Sequence, residues 1–74
     1  MNQSIHISYA TRKFLCLESF SSEGRHCLKD ETYTAHPIDG GYKLVFENGD
    51  MNFTDELFER VVDAWSDVLI EITG

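Results

Sequence analysis

Between Lys13 and Phe53 the chain reads as short alternating runs of apolar and polar residues broken by turn formers, the period of half-buried β-strands. In KFLCLESF the alternation puts Phe14, Cys16 and Glu18 on one side and Leu15 and Leu17 on the other, predicting a strand buried on much of both faces. SSEG follows as a turn, because serine supplies local backbone bonds and Gly24 adopts positive φ without strain. RHCL predicts a short strand or loop, and Lys29-Asp30 a polar turn. Thr32, Tyr33, Thr34 and His36 then predict a strand that Pro37 ends. IDGG is a turn, and GYKLVFE is the best strand in the chain, with Tyr42, Leu44 and Phe46 facing one way. NGD turns it into a hairpin that brings Met51 and Phe53 back.

At Thr54 the period changes. The Thr54 side chain can cap a helix, and Phe53 with Phe58 forms the staple that fixes its entry angle. At about 100° per residue, Leu57, Phe58, Val61, Val62 and Trp65 share one arc, while Asp55, Glu56, Glu59 and Asp63 cover the other. This predicts an amphipathic helix over about 54–65. Beyond Ser66-Asp67, Val68, Ile70 and Ile72 alternate with Leu69, Glu71 and Thr73, a β-branched pattern that predicts a final strand over about 67–72; helix continuing to Ile70 is the competing reading. Residues 1–11 form an arm in which Ile5, Ile7 and Tyr9 suggest a short strand. The expected architecture is α+β: a single domain over 12–74, built as a small antiparallel curled sheet or an SH3-like barrel with one helix plugging an open end and a terminal strand.

A length of 74 residues holds one small core and excludes a second module. The N-terminus lacks the charged start and apolar run of a signal peptide, and the longest wholly apolar run, Val68-Leu69-Ile70, is far short of a membrane span, so a cytoplasmic setting is expected. In that setting Cys16 and Cys27 are expected as reduced, buried thiols, a single disulfide being the alternative. Cys16, His26, Cys27 and His36 lack the short fixed spacings of zinc ligands, so neither metal nor cofactor is expected. His6, His26 and His36 are the candidate neutral-pH bases, yet no recognised spacing joins them to a nucleophile. His26 and Cys27, adjacent on a strand, point to opposite faces. Gly40-Gly41 and Asn48-Gly49 suit hairpins rather than phosphate loops. No catalytic residue emerges, and the expectation is that the protein is not an enzyme.

Charge changes the picture more. Residues 1–43 balance five acids against five bases, whereas residues 44–74 set eight acids against Arg60 alone, which accounts for the whole formal charge of −7. This polarity disfavours direct contact with nucleic acid or an anionic membrane and favours a basic partner. Asp55, Glu59 and Asp63 recur every four residues, about 6 Å apart along a helix axis, a spacing comparable with successive phosphates. With Glu47, Asp50 and Asp67 they could imitate a strip of nucleic-acid backbone. The plainer reading is a solvated helix face, with Asp55 and Glu56 at the positive helix end and Glu56 paired with Arg60. Asp63 fits that reading poorly, because an acid near a helix C-terminus opposes the dipole.

The layout KFLCLESFSSEGRHCLKDETYTA, followed by GGYKLVFENGDMNFTDELFERV, resembles many short bacteriophage and prophage proteins over residues 13–62. Lys13, Cys16, Lys29, Tyr33, Tyr42, Asn48, Gly49 and Phe53 carry the resemblance, while the arm over 1–11 and the apolar tail over 65–72 depart from it. The resemblance implies an accessory early protein that binds and inhibits or redirects host machinery such as RNA polymerase or a defence nuclease. On this basis Glu47, Asp50, Asp55, Glu56, Glu59, Asp63 and Asp67 are the expected partner-binding residues, facing a basic surface of a host nucleic-acid-handling protein. The alternative is a structural or assembly protein that forms a homodimer through its apolar terminal strand; against it stands a reading in which Trp65 packs under the helix and that strand closes a barrel.

Overall fold

Phe14, Cys16, Tyr33, Ala35, Tyr42, Leu44, Phe46 and Phe53 are all buried on one face of a five-stranded sheet, because successive side chains of a strand point opposite ways. The computed structural model describes residues 10–72, so the strand expected through Ile5, Ile7 and Tyr9 lies outside the described residues. The elements are β1 (Arg12–Cys16), β2 (Phe20–Ser22), β3 (Arg25–Cys27), β4 (Thr32–Ile38), β5 (Gly41–Phe46), β6 (Gly49–Thr54), α1 (Asp55–Ala64) and β7 (Leu69–Ile72). The main sheet runs β6-β5-β4-β1-β7 and is antiparallel throughout, while β2 and β3 form a separate hairpin.

This is the small antiparallel α+β fold the patterning predicts, but the sheet stays open and no barrel closes among the described residues. The last strand pairs with β1, not with β6 at the far edge. Closure is unnecessary because α1 seals the core from one side, with Phe58 fully buried against Phe14, Tyr42 and Phe53 at ring-centroid distances of 5.8, 4.8 and 5.8 Å. The contact with Phe53 is the predicted staple, and Thr54 Oγ1 accepts the Leu57 N–H at 3.2 Å as the predicted cap. Trp65 ends the helix and packs edge-on against Phe20 and Phe46.

Five boundaries or burials differ from the patterning. Ser21 and Ser22, expected in the SSEG turn, lie in β2 and pair with His26 and Arg25. β1 stops at Cys16: the Leu17 N–H makes a last bond to the Val68 carbonyl, but Val68 gives its own N–H to the Trp65 carbonyl, so the ladder goes no further and Leu17 is left 36% exposed. Pro37 lies inside β4 and does not end it: the described pairing with β1 stops at Arg12↔Ala35, so Pro37 pairs only with Tyr42 of β5 and its missing N–H breaks no ladder to β1. Leu57 is 46% exposed, which narrows the apolar arc of α1. In β7 the inward residues are Leu69 and Glu71, and Ile70 and Ile72 face outward.

Two glycines are required by geometry. Glu23 and Gly24, both at positive φ, form the two-residue turn between β2 and β3, whose twist matches the strands it joins. A Cβ on Gly41 would collide with the Phe53 backbone, so only glycine lets β6 lie this close.

Candidate functional site

The acids singled out in the sequence do not form one strip. The Asp55 N–H donates to the Gly40 carbonyl at 3.0 Å, which fixes the start of α1 beside the β4–β5 turn, while Trp65 against Phe46 fixes its end near the β5–β6 turn. Asp55 and Glu56 therefore sit at one end of the sheet and Asp63 and Asp67 at the other, about 12 Å apart along the axis from Asp55 to Asp63. Asp50 is opposite the exposed Val45, on the sheet face that α1 does not cover. Glu47 accepts the Tyr33 phenol proton at 2.8 Å, and its own N–H donates to the His26 carbonyl at 2.9 Å, so it serves as a bracket between β4, β3 and the turn.

Glu59 is also engaged, by a residue the sequence reading passed over. Arg12 enters from the start of β1, donates through Nε and Nη2 to both carboxylate oxygens of Glu71 at 2.9 and 2.7 Å, and reaches Glu59 through Nη1 at 2.7 Å. Its guanidinium lies 5.2–5.7 Å from the ring centroids of Phe58, Tyr42 and Phe14, and its side chain is 18% exposed. A planar, weakly hydrated cation suits such a site, where an ammonium would lose more hydration and lacks the planar fork that meets both oxygens of one carboxylate. The Glu71 hydrogen bond, above the opposing effect of burial, raises the Arg12 pKa, and the reciprocal bond holds Glu71 below the usual carboxylate range. A signal for this node was present in the chain: Glu71 shares its strand face with the buried Leu69, and an acid on that face needs a cation.

The solvent-facing acids that remain are Asp55, Glu56, Asp63 and Asp67. Glu56 meets Arg60 at 3.4 Å, as the i, i+4 spacing predicts, with both side chains largely in water. Asp55 and Glu56 complement the positive end of the helix. The last turn of α1 carries Asp63 and no basic residue, and Asp67 follows in the turn to β7. Among the described residues, two carboxylates thus flank the negative end of the helix with no basic side chain in its last turn.

His26 is exposed and Cys27 is 1% exposed, the opposite orientation expected of strand neighbours. Burial pushes the Cys27 thiol up to about 12 and raises Cys16 as well, so at neutral pH both are protonated core side chains rather than thiolate nucleophiles. Both are free cysteines. Among the described residues, Cys16, His26, Cys27 and His36 do not gather into a metal-binding group, and no helix is long and apolar enough to cross a membrane. None of the protein-family models, characterised proteins or solved structures compared with this chain matches it.

Proposed function

We propose that this chain is a non-enzymatic, host-directed binding protein of the phage accessory type, acting in the bacterial cytoplasm. Its C-terminal helix end docks on a basic surface of a host nucleic-acid-handling protein, an RNA polymerase or a defence nuclease, and occludes it. The observation that carries this reading is the pair Asp63 and Asp67 at the negative end of α1, with no base in the last turn. Such a placement costs helix stability, so a role in folding does not account for it, whereas a cation supplied by a partner would. Asp55 and Glu56 extend the same acidic helix toward its N-terminus, and Glu59, held by Arg12, contributes less than its position suggests. Long-range attraction to a basic partner would speed encounter and weaken as salt screens it.

The test is an affinity capture from nuclease-treated bacterial lysate at low and high salt, with an Asp63→Lys/Asp67→Lys variant beside the unaltered protein. Glu59 is left in place because charge reversal there would break the Arg12 node. A discrete partner, held at low salt and lost both at high salt and in the variant, is the expected outcome. Equal capture by the two proteins sinks the proposal.

A further inference from the structure

The open sheet has two edges, and they are finished differently. β6 turns Asp50, Asn52 and Thr54 to the outer face, polar groups of the kind that protect an edge from pairing. β7 carries no such protection among the described residues. Its one charge, Glu71, is turned inward and held by Arg12, while Ile70 and Ile72 are 38% and 37% exposed on the outer face beside the half-buried Leu15. The strand has β1 on one side and no strand on the other among the described residues.

We propose that β7 is the site of twofold self-association, two copies pairing their β7 edges antiparallel to join two five-stranded sheets into one of ten. The electrostatics select a second copy at this edge. α1 packs chiefly against β5 and β6, and the one of its acids that reaches toward this edge, Glu59, is held by Arg12. Strands lie about 4.8 Å apart, so a β7–β7 junction separates the two β5 strands by about 34 Å, several times the screening length of about 8 Å in physiological salt. A β6–β6 junction would bring them to about 14 Å and place Asp50 in the seam. The local charge at β7 is close to balanced: Arg12 and Lys13 stand against Glu71 and Glu59, and Asp67, in the turn before the strand, adds one negative charge that antiparallel pairing sets at opposite ends of the seam in the two copies. A twofold pairing centred on Ile70 keeps the outer faces together and sets Ile70 against Ile70 of the other copy, whereas centring on Glu71 would place two carboxylates directly opposite each other. An isologous contact of this kind closes on itself and stops at two.

Sedimentation velocity over a wide concentration range tests the assignment, with Ile70→Lys/Ile72→Lys and, to retain β-branched character, Ile70→Thr/Ile72→Thr. Both pairs of side chains point to solvent, so circular dichroism is expected to show the fold unchanged. The unaltered chain should shift toward twice its mass as concentration rises, more readily at high salt, and each variant should associate at least tenfold more weakly. A monomer at every concentration would free β7 for a strand of another protein and overturn the proposal. So would variants that associate as the parent does, or association that salt dissolves, which would place the contact on the acidic faces.

Discussion

Arg12 joins three elements that are distant in the chain: the start of β1, the middle of α1 through Glu59, and β7 through Glu71. Its guanidinium also lies against the rings of Phe14, Tyr42 and Phe58, so the side chain contributes packing as well as charge. Arg12→Met keeps most of the packing and removes the fork, leaving two carboxylates without their cation. We expect a loss of about 1–2 kcal/mol in urea unfolding, the lower part of the range for charged hydrogen bonds because both carboxylates reach water. The pH dependence follows from Glu71, whose folded pKa lies below its unfolded one. The unfolded chain then binds more protons in the acid range, so the stability this pair supplies is complete above the ordinary carboxylate pKa and is lost as pH falls through the depressed value. Glu71→Gln should flatten the decline in stability below about pH 4.5; an unchanged acid limb would show that Glu71 is not the group responsible. Arg12 was hard to read from the chain because its three ring contacts and two ion pairs are made across sequence separations of up to 59 residues. Glu71 was legible once Leu69 fixed the inward phase of β7, and the β-branched pair Ile70 and Ile72 obscured that phase by pointing to the other face.

At the scale of elements, local chemistry predicted what local chemistry decides. The turns at Glu23-Gly24 and Asp39-Gly40, the Thr54 cap and the Phe53–Phe58 staple lie where the residue types place them, while the β5–β6 hairpin turns one residue earlier than its Asn-Gly pair suggests, at Glu47-Asn48, with Gly49 already in β6. The misreadings are tertiary. β1 ends early because Val68, in the α1–β7 turn, gives its N–H to Trp65 and not to Leu17, and Pro37 survives inside β4 because the described pairing with β1 stops at Ala35. The helix itself offers a measurement that separates a binding face from an ordinary solvated one. Asp63 opposes the helix dipole, so Asp63→Asn should stabilise the protein by about 0.3–1 kcal/mol at low ionic strength, the gain fading in high salt. Thermal unfolding at two salt concentrations measures it. If the same residue is needed for partner capture, the substitution that strengthens the fold weakens the function, the usual signature of a residue retained for a partner. A neutral or destabilising effect would mean that Asp63 has a structural role, and would remove the observation on which the acidic docking surface rests.

On the scale of the whole molecule, two units meet: the open sheet with its helix, and the β2–β3 hairpin that covers the end of the core. Asn48, in the β5–β6 turn, ties them by accepting the His26 N–H through Oδ1 at 2.9 Å and donating through Nδ2 to the Gly24 carbonyl at 2.8 Å. Arg25 adds a 3.2 Å bond to the Asp50 carbonyl, and Phe20 packs on Trp65. The sequence predicted Asn48 as a turn residue only; its second use depends on where a separate hairpin lands, which no local pattern encodes. The two thiols report on these units separately, Cys16 from β1 and Cys27 from β3, and both are buried and protonated at neutral pH. In the unaltered protein a thiol reagent should reach both at one slow rate, that of global unfolding. Asn48→Ala removes the two bonds to the hairpin and nothing from the packing of β1, so Cys27 alone should react faster. A gain of about tenfold corresponds to about 1.4 kcal/mol, the scale of two hydrogen bonds at a partly exposed site. Equal acceleration of Cys16 and Cys27 would mean that the hairpin and the sheet open as one unit, and that the Asn48 bonds stabilise the entire fold rather than the docking of its smaller part.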